Sequence, residues 1–192
     1  MIELRQESPD CLEAYAEVPI AFEVRSLLEV SARDAGLRGL SLTERVVATP
    51  YTKDYDALPG NHPRDWPHTF DVTRWGVLSS WTAGQRIGGA VIAFGSADVE
   101  LLAGRDDLAS LWDLRVRPDH RRRGHGQALF SAAAQWARSR GCRWLKIETQ
   151  NINVPACRLY ASLGCTLGAI DRFAYPTLPD EIQLLWYHAL DC

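Results

Sequence analysis

The run Val116-Arg117-Pro118-Asp119-His120-Arg121-Arg122-Arg123-Gly124-His125-Gly126 holds the residue types with which a protein binds phosphate. Three arginines offer charge and forked donors. Two glycines allow a ligand close to the backbone and permit conformations other residues avoid. An apolar, strand-like stretch precedes the run and an Ala-rich helical pattern follows it. The run therefore sits at a helix start, where backbone N–H groups lack intrahelical partners and point at any anion placed there. It predicts a pyrophosphate-binding turn over residues 121–126. The plain alternative is an exposed basic loop that merely starts a helix. The strand before, the glycines within and the amphipathic helix after favour the ligand. No Gly-Lys-Ser/Thr follows, so the turn is not a Walker A loop. The three-glycine spacing of dinucleotide folds is missing as well.

The surrounding elements can be read from pattern. Residues 1–17 are polar and weakly patterned. A strand is expected over 21–30, and 40–47 reads as strand or short helix. Residues 49–66 read as a long Pro- and Asp-rich loop. Two strands, 75–81 and 87–94, flank Ala83-Gly84 as a hairpin candidate. A strand over 111–116 leads into the turn. The helix 126–140 places Leu129, Ala132, Ala133, Trp136 and Ala137 on one face, and Gly141 suits its stop. Residues 144–149 read as a strand. A helix follows with Asn153 as N-cap and Pro155 in its first turn, ending near Gly164. Strands near 165–170 and 182–188 close the chain. The order implies one mixed α/β domain over residues 1–192.

The chain has 192 residues, 46% hydrophobic and 23% charged, with net charge −3. That suits a globular domain with its own core. The acidic balance disfavours nucleic acid as a partner, and no apolar run has the length of a membrane span. The basic residues cluster between Arg115 and Lys146, which suits a small anionic ligand. The N-terminal stretch Met1–Glu7 does not read as a signal peptide. Cys11, Cys142, Cys157, Cys165 and Cys192 are scattered and read as free thiols in a reducing cytoplasm. No cluster has metal-ligand spacing, so no metal is expected.

The pattern Arg121-x-x-Gly124-x-Gly126, preceded by Val116-x-Pro118, resembles the acetyl-coenzyme A binding motif of the GNAT N-acetyltransferases. Downstream, Asn153-x-x-Ala156-x-x-x-Tyr160-x-x-x-Gly164 is similar to the family's second motif. Within that family, Glu148-Thr149-Gln150-Asn151-Ile152-Asn153, Gly168-Ala169-Ile170-Asp171 with Tyr175, and Glu181-Ile182 with Trp186-Tyr187 resemble the streptothricin acetyltransferases. So do Phe22-Glu23-Val24 and Pro50-Tyr51-x-Lys53-x-Tyr55. The chain departs from that subgroup in having Trp112 before Asp113 on the central strand, and from the family in having Cys165 after Gly164.

The resemblance implies a GNAT fold: a mixed, mostly antiparallel central sheet flanked by helices, with a central β-α-β unit that binds acetyl-CoA. It implies acetyl transfer from acetyl-CoA, as co-substrate, to a primary amine of a small cationic acceptor, with streptothricin the expected acceptor and antibiotic resistance the consequence. The alternatives are another amine (a polyamine, an aminoglycoside or a protein N-terminus) or a non-catalytic acetyl-CoA-binding sensor, and a homodimer is compatible with the resemblance. Carried onto this chain, it assigns acetyl-CoA binding to Leu114, Arg115 and Val116, to the turn residues Arg121, Arg122, Arg123, Gly124, His125, Gly126 and Gln127, and to Asn153, Ala156 and Tyr160. Tyr160 is the expected proton donor to the departing thiolate. Asp113 and Glu148 are the candidate general bases, with Asp171 and a water relay behind them. Asp54 and Asp171 are expected to meet the cationic acceptor, within an acidic set that includes Asp56, Asp65, Asp71, Asp98 and Glu100. Trp66, Trp75, Trp81 and Trp112 are read as core, His120 as solvated and His188 as structural.

Overall fold

The computed structural model describes residues 2–190, so Met1, Asp191 and Cys192 lie outside the described residues. The strands are β1 (Glu3–Glu7), β2 (Phe22–Ala32), β3 (Leu40–Lys53), β4 (Gly76–Thr82), β5 (Gln85–Ala93), β6 (Leu108–Val116), β7 (Trp144–Gln150), β8 (Thr166–Asp171) and β9 (Gln183–Ala189). The helices are α1 (Leu12–Tyr15), α2 (Trp66–Thr69), α3 (His125–Ser139) and α4 (Val154–Ser162). Seven strands form a sheet in the order β1-β4-β5-β6-β7-β9-β8, and β2 pairs with β3. β1/β4, β4/β5 and β5/β6 are antiparallel, while β6/β7 is parallel, as a strand-helix-strand crossover through α3 requires. This is the mixed, mostly antiparallel sheet expected of the GNAT fold. The chain divides into two compact units. One holds the chain up to Ala21, Asp54–Ile147 and the chain from Tyr187; the other holds Phe22–Lys53 and Glu148–Trp186.

In the first unit, α3 packs on β4, β5 and β6. Its buried face includes Leu129, Phe130, Ala133, Ala134, Trp136 and Ala137. The expected face is therefore nearly right, with Phe130 and Ala134 added and Ala132 only half-buried. A second apolar layer joins Leu12, Tyr15, Trp66, Trp75, Val77, Val91 and Leu102, with Phe70 and Trp112 against it. Trp75 and Trp112 lie 5.4 Å apart and Phe70 and Trp112 5.1 Å apart, ring centre to ring centre. Three of the four tryptophans read as core thus meet in one cluster. Trp81 instead is half-buried, with the Arg5 and Arg86 guanidinium groups 4.3 Å and 5.0 Å from its ring.

Two segments differ from expectation. β1 and α1 lie where no regular element is expected, because β1 is almost wholly exposed and has no apolar alternation to reveal it. Its place is set by backbone pairing with β4. β3 continues to Lys53, into the segment read as loop. In the second unit, Val24 pairs with Tyr51 and then Ser26 with Val46, so the register shifts across a bulge. Pro50 lies within that bulge, where a missing N–H breaks no ladder bond.

Close approach in the first unit depends on β5 glycines. A Cβ at Gly89 would lie 2.3 Å from the Tyr15 ring, and one at Gly88 would lie 2.6 Å from the Arg115 carbonyl oxygen. We expect Gly89→Ala to destabilise the protein by about 1–3 kcal/mol through overpacking. The midpoint of urea unfolding measures it, and an unchanged midpoint would refute the account.

Candidate active site

β6 pairs with β7 only from Leu108↔Trp144 to Leu111↔Ile147, while its pairing with β5 continues to Gly88↔Val116. The change falls at a β-bulge. Val91 opposes Asp113 and Ile92 opposes Leu111, which leaves Trp112 as the extra residue. A bulge bends its strand and sharpens the twist, and so ends regular pairing on the other edge. Past Leu111 that edge of β6, where Leu114, Arg115 and Val116 lie, is outside the β7 ladder. An extended ligand arm with amide groups fits such an edge.

Beyond β6 a 3-10 turn over Pro118–His120 leads to the basic run. Arg122 has φ 59° and Gly124 φ 89°, both left-handed. Gly124 is the N-cap of α3 and provides no side-chain cap. The first cap-to-helix bond is Ala128 N–H to the Gly124 carbonyl, 2.9 Å. The N–H groups of His125, Gly126 and Gln127 lie ahead of it, in the first turn, where an α-helix has no internal acceptors. A positive helix end, left-handed backbone and a glycine cap form an anion cradle.

The three arginines of the run divide. Arg122 and Arg123 are exposed. Arg121 turns inward: Nε donates to the Val116 carbonyl (3.0 Å) and Nη2 to the Ala21 carbonyl (2.8 Å). Its guanidinium is therefore spent on tying β6 to the Ala21 segment, contrary to its reading as a phosphate fork. Only its backbone remains for the cradle. His125 is also turned inward, its Nδ1 3.1 Å from Ser80 Oγ. Burial, with His120 and Arg123 nearby, holds its pKa below the ordinary histidine value.

Asp113 and Arg115 lie two apart on β6, hence on one face. They form a buried ion array. Arg115 Nε and Nη2 each donate to Asp113 at 2.8 Å. Nη1 and Nη2 donate to Asp56 at 2.8 Å and 3.1 Å, and Nη1 reaches the Val18 carbonyl at 3.1 Å. The Tyr15 hydroxyl donates to Asp113 Oδ1. The Arg115 side chain is 0% exposed. Burial pulls its pKa down, but the Asp113 charge, Tyr15 and the hydrogen bonds outweigh this and leave it raised. Two expectations change. Asp113 was a candidate base, yet both its oxygens are occupied by Arg115 and Tyr15, so it serves as a counter-ion. Asp56, part of the acidic set expected near the acceptor, is instead the second counter-ion of Arg115.

In the second unit, Asn153 caps α4, its side-chain oxygen accepting from Ala156 N–H at 3.2 Å. Tyr160 lies two turns on and is 5% exposed; Ala156 is half-buried. Glu148, on β7, is held by neutral donors: Tyr175 hydroxyl at 2.6 Å and Gln183 Nε2 at 2.8 Å. Asn151 is buried and stitches this unit together. Its side chain bonds the Leu28 carbonyl (3.0 Å) and Ile182 N–H (2.9 Å), and its backbone bonds the same two residues. Asp54 and Asp171 are exposed, and each accepts a backbone N–H two residues on, at 3.1 Å and 2.8 Å.

The sequence reading missed Tyr15, Asn151, Tyr175 and Gln183 as site-building groups. The alternation Asp113/Arg115 and Glu148/Gln150 is a usable signal for same-face pairs. Nothing local joins Tyr15 or Asp56 to Arg115, because those pairs are 98 and 59 residues apart for Tyr15–Asp113 and Asp56–Arg115. Among the described residues no group of His, Cys, Asp and Glu could hold a metal ion, and no helix is long and apolar enough to cross a membrane.

The GNAT acetyltransferase family model matches residues 45–165. A streptothricin acetyltransferase from Escherichia coli is 35% identical over 169 residues, covering 86% of this chain and 84% of the relative. A nourseothricin acetyltransferase crystal structure superposes with TM-score 0.77 at 25% identity, covering 99% of each chain. A Bacillus anthracis (strain Ames) structure solved in complex with acetyl coenzyme A superposes with TM-score 0.75 at 24% identity, covering 98% of this chain and 99% of the other.

Two measurements probe the ion array. Arg115→Met leaves two carboxylates without their cation and is expected to cost about 3–5 kcal/mol in chemical unfolding. Loss below 1 kcal/mol would contradict the pairing. Burial, then the Asp113 charge, raises the Tyr15 pKa well above its ordinary value. The unfolded chain then ionises this tyrosine near pH 10 while the folded one does not. Stability should hold below about pH 10 and decline above it, and Tyr15→Phe should reduce that slope.

Proposed function

Since the chain belongs to the GNAT acetyltransferase family, and so transfers acetyl groups from acetyl-CoA to amines, we propose that its acceptor is a primary amine of streptothricin. The observation that carries this is the 35% identity to a streptothricin acetyltransferase over most of both chains. The reaction has three demands. The acceptor ammonium must lose a proton before it attacks. The carbonyl oxygen gains negative charge as it is attacked. The thiolate leaving CoA needs a proton.

The residues present suit acetyl-CoA as a substrate. The left-handed, glycine-capped start of α3 suits its phosphates. The edge of β6 outside the β7 ladder suits its amide-bearing arm, and a backbone N–H over Leu114–Val116 suits the carbonyl oxygen. Asn153 uses its side-chain oxygen on the α4 cap, which leaves its amide hydrogens for the CoA arm. Tyr160 is assigned as the proton donor to sulfur. Its phenol can give a hydrogen bond or a proton to a thiolate, whereas packing alone would not use the hydroxyl.

For the ammonium proton we assign Glu148 rather than Asp113. Proton abstraction requires an oxygen that is not committed to a guanidinium, and Asp113 fails that requirement. Asp54 and Asp171 are assigned to the remaining positive charge of the acceptor, because both are exposed carboxylates. The four described cysteines are free thiols, which supports a reducing, cytoplasmic setting.

Purified protein with acetyl-CoA and streptothricin should release CoA thiol and yield monoacetylated product by mass spectrometry. Folded protein that releases none above background would refute the acceptor, and a panel of polyamines and aminoglycosides would then identify the amine. Tyr160→Phe is expected to lower kcat about 100-fold while leaving acetyl-CoA affinity nearly intact. Undiminished kcat would remove Tyr160 from the mechanism.

A further inference from the structure

Among the described residues, the buried and half-buried carboxylates are matched to cations, with one exception. Arg115 serves Asp113 and Asp56, Arg86 serves Glu7, Arg105 serves Asp107, and Lys53 serves Glu181. Glu148 is different. It is only partly exposed, and among the described residues no cationic side chain pairs with it. Both of its oxygens are instead held by neutral groups brought from elsewhere in the second unit. Tyr175, on the β8–β9 connection, donates to Oε1 at 2.6 Å, and Gln183, on β9, donates to Oε2 at 2.8 Å.

Gln150, on the Glu148 face of β7, donates to the Tyr175 oxygen at 3.0 Å. That bond orients the phenol so that its own hydrogen points to Glu148. Burial, and then the Glu148 charge, push the Tyr175 pKa upward, so the phenol stays a donor at neutral pH. Lys53 in this unit pairs with Glu181. A partly buried carboxylate normally gains a cation or loses its charge. Here three uncharged side chains surround the carboxyl group and none of them brings a positive charge.

We infer that Tyr175, Gln183 and Gln150 are positioning residues that hold Glu148 as a carboxylate without an internal counter-ion, so that the acceptor ammonium is the cation it receives. This rests on the reading of the reaction as transfer to a cationic amine. It adds a reason for preferring an ammonium over a neutral nucleophile, and it names residues that no motif marks. Gln150 Nε2 itself lies 3.5 Å from Glu148 Oε1, so all three neutral side chains reach the carboxylate.

Two variants test it from opposite sides. Tyr175→Phe removes one donor with little change in shape. Gln183→Lys keeps the reach of the side chain and supplies the missing counter-ion, a change that should not unfold the protein. Steady-state kinetics with acetyl-CoA and the acceptor varied separately, with calorimetric acetyl-CoA binding, gives the readout. Each variant should raise the acceptor KM about tenfold or more, as expected for losing an interaction with a charged group. Acetyl-CoA Kd should stay within about twofold. Unchanged acceptor KM in both variants overturns the inference. An equal loss of acetyl-CoA affinity also overturns it, because that is the mark of a merely structural role. If wild-type protein acetylates some other cationic amine but not streptothricin, the acceptor identity fails while the inference is tested on that amine. If it acetylates no cationic amine, both fail together.

Discussion

The first unit is organised around one buried guanidinium. Arg115 lies on the strand whose free edge suits acetyl-CoA, and its side chain leaves that edge to bind α1, the segment at Val18 and the loop at Asp56. A fully buried arginine is intolerable without acceptors, so every nitrogen has to find one. Those acceptors come from three separate stretches of chain, and meeting them sets where those stretches run. Gly88 and Gly89 follow from the same demand. Side chains there would collide with the Arg115 carbonyl and with the Tyr15 ring that lies against the guanidinium. The arrangement is not a large source of stability in itself, since apolar groups of equal shape could replace it. Its effect is that removing any one member leaves the others uncompensated.

Two carboxylates on adjacent strands show how environment divides roles among identical groups. Asp113 is neutralised by a cation fork and has no oxygen to spare. Glu148 is oriented by a phenol and an amide and has no cation beside it among the described residues. Both were equal candidates for proton abstraction when judged by residue type and strand position. Only the company each keeps distinguishes them, and that company comes from distant parts of the chain.

The basic run is likewise divided by its surroundings. Its glycine and its left-handed backbone suit an anion, and its exposed arginines add positive field. Arg121 has a different task, bonding carbonyls at Val116 and Ala21. Residue type alone cannot separate these uses, because a guanidinium binds a phosphate oxygen and a peptide oxygen by the same donors.

Much of the fold was legible in the sequence because it is local. The α3 face, the β4–β5 hairpin at Ala83-Gly84, the Asn153 cap and the strand-turn-helix around the basic run each depend on residues within a turn or two of one another. Strand β1 was not legible, because an exposed edge strand carries no apolar alternation, and the end of β3 was obscured by a proline that a bulge accommodates. The family and its acetyl transfer were also readable from two spaced motifs. Only the tertiary structure decided which carboxylates are free. Charge pairing at Arg115 and the neutral cage at Glu148 are contacts between residues far apart in the chain, and their partners are chosen by folding, not by neighbouring sequence.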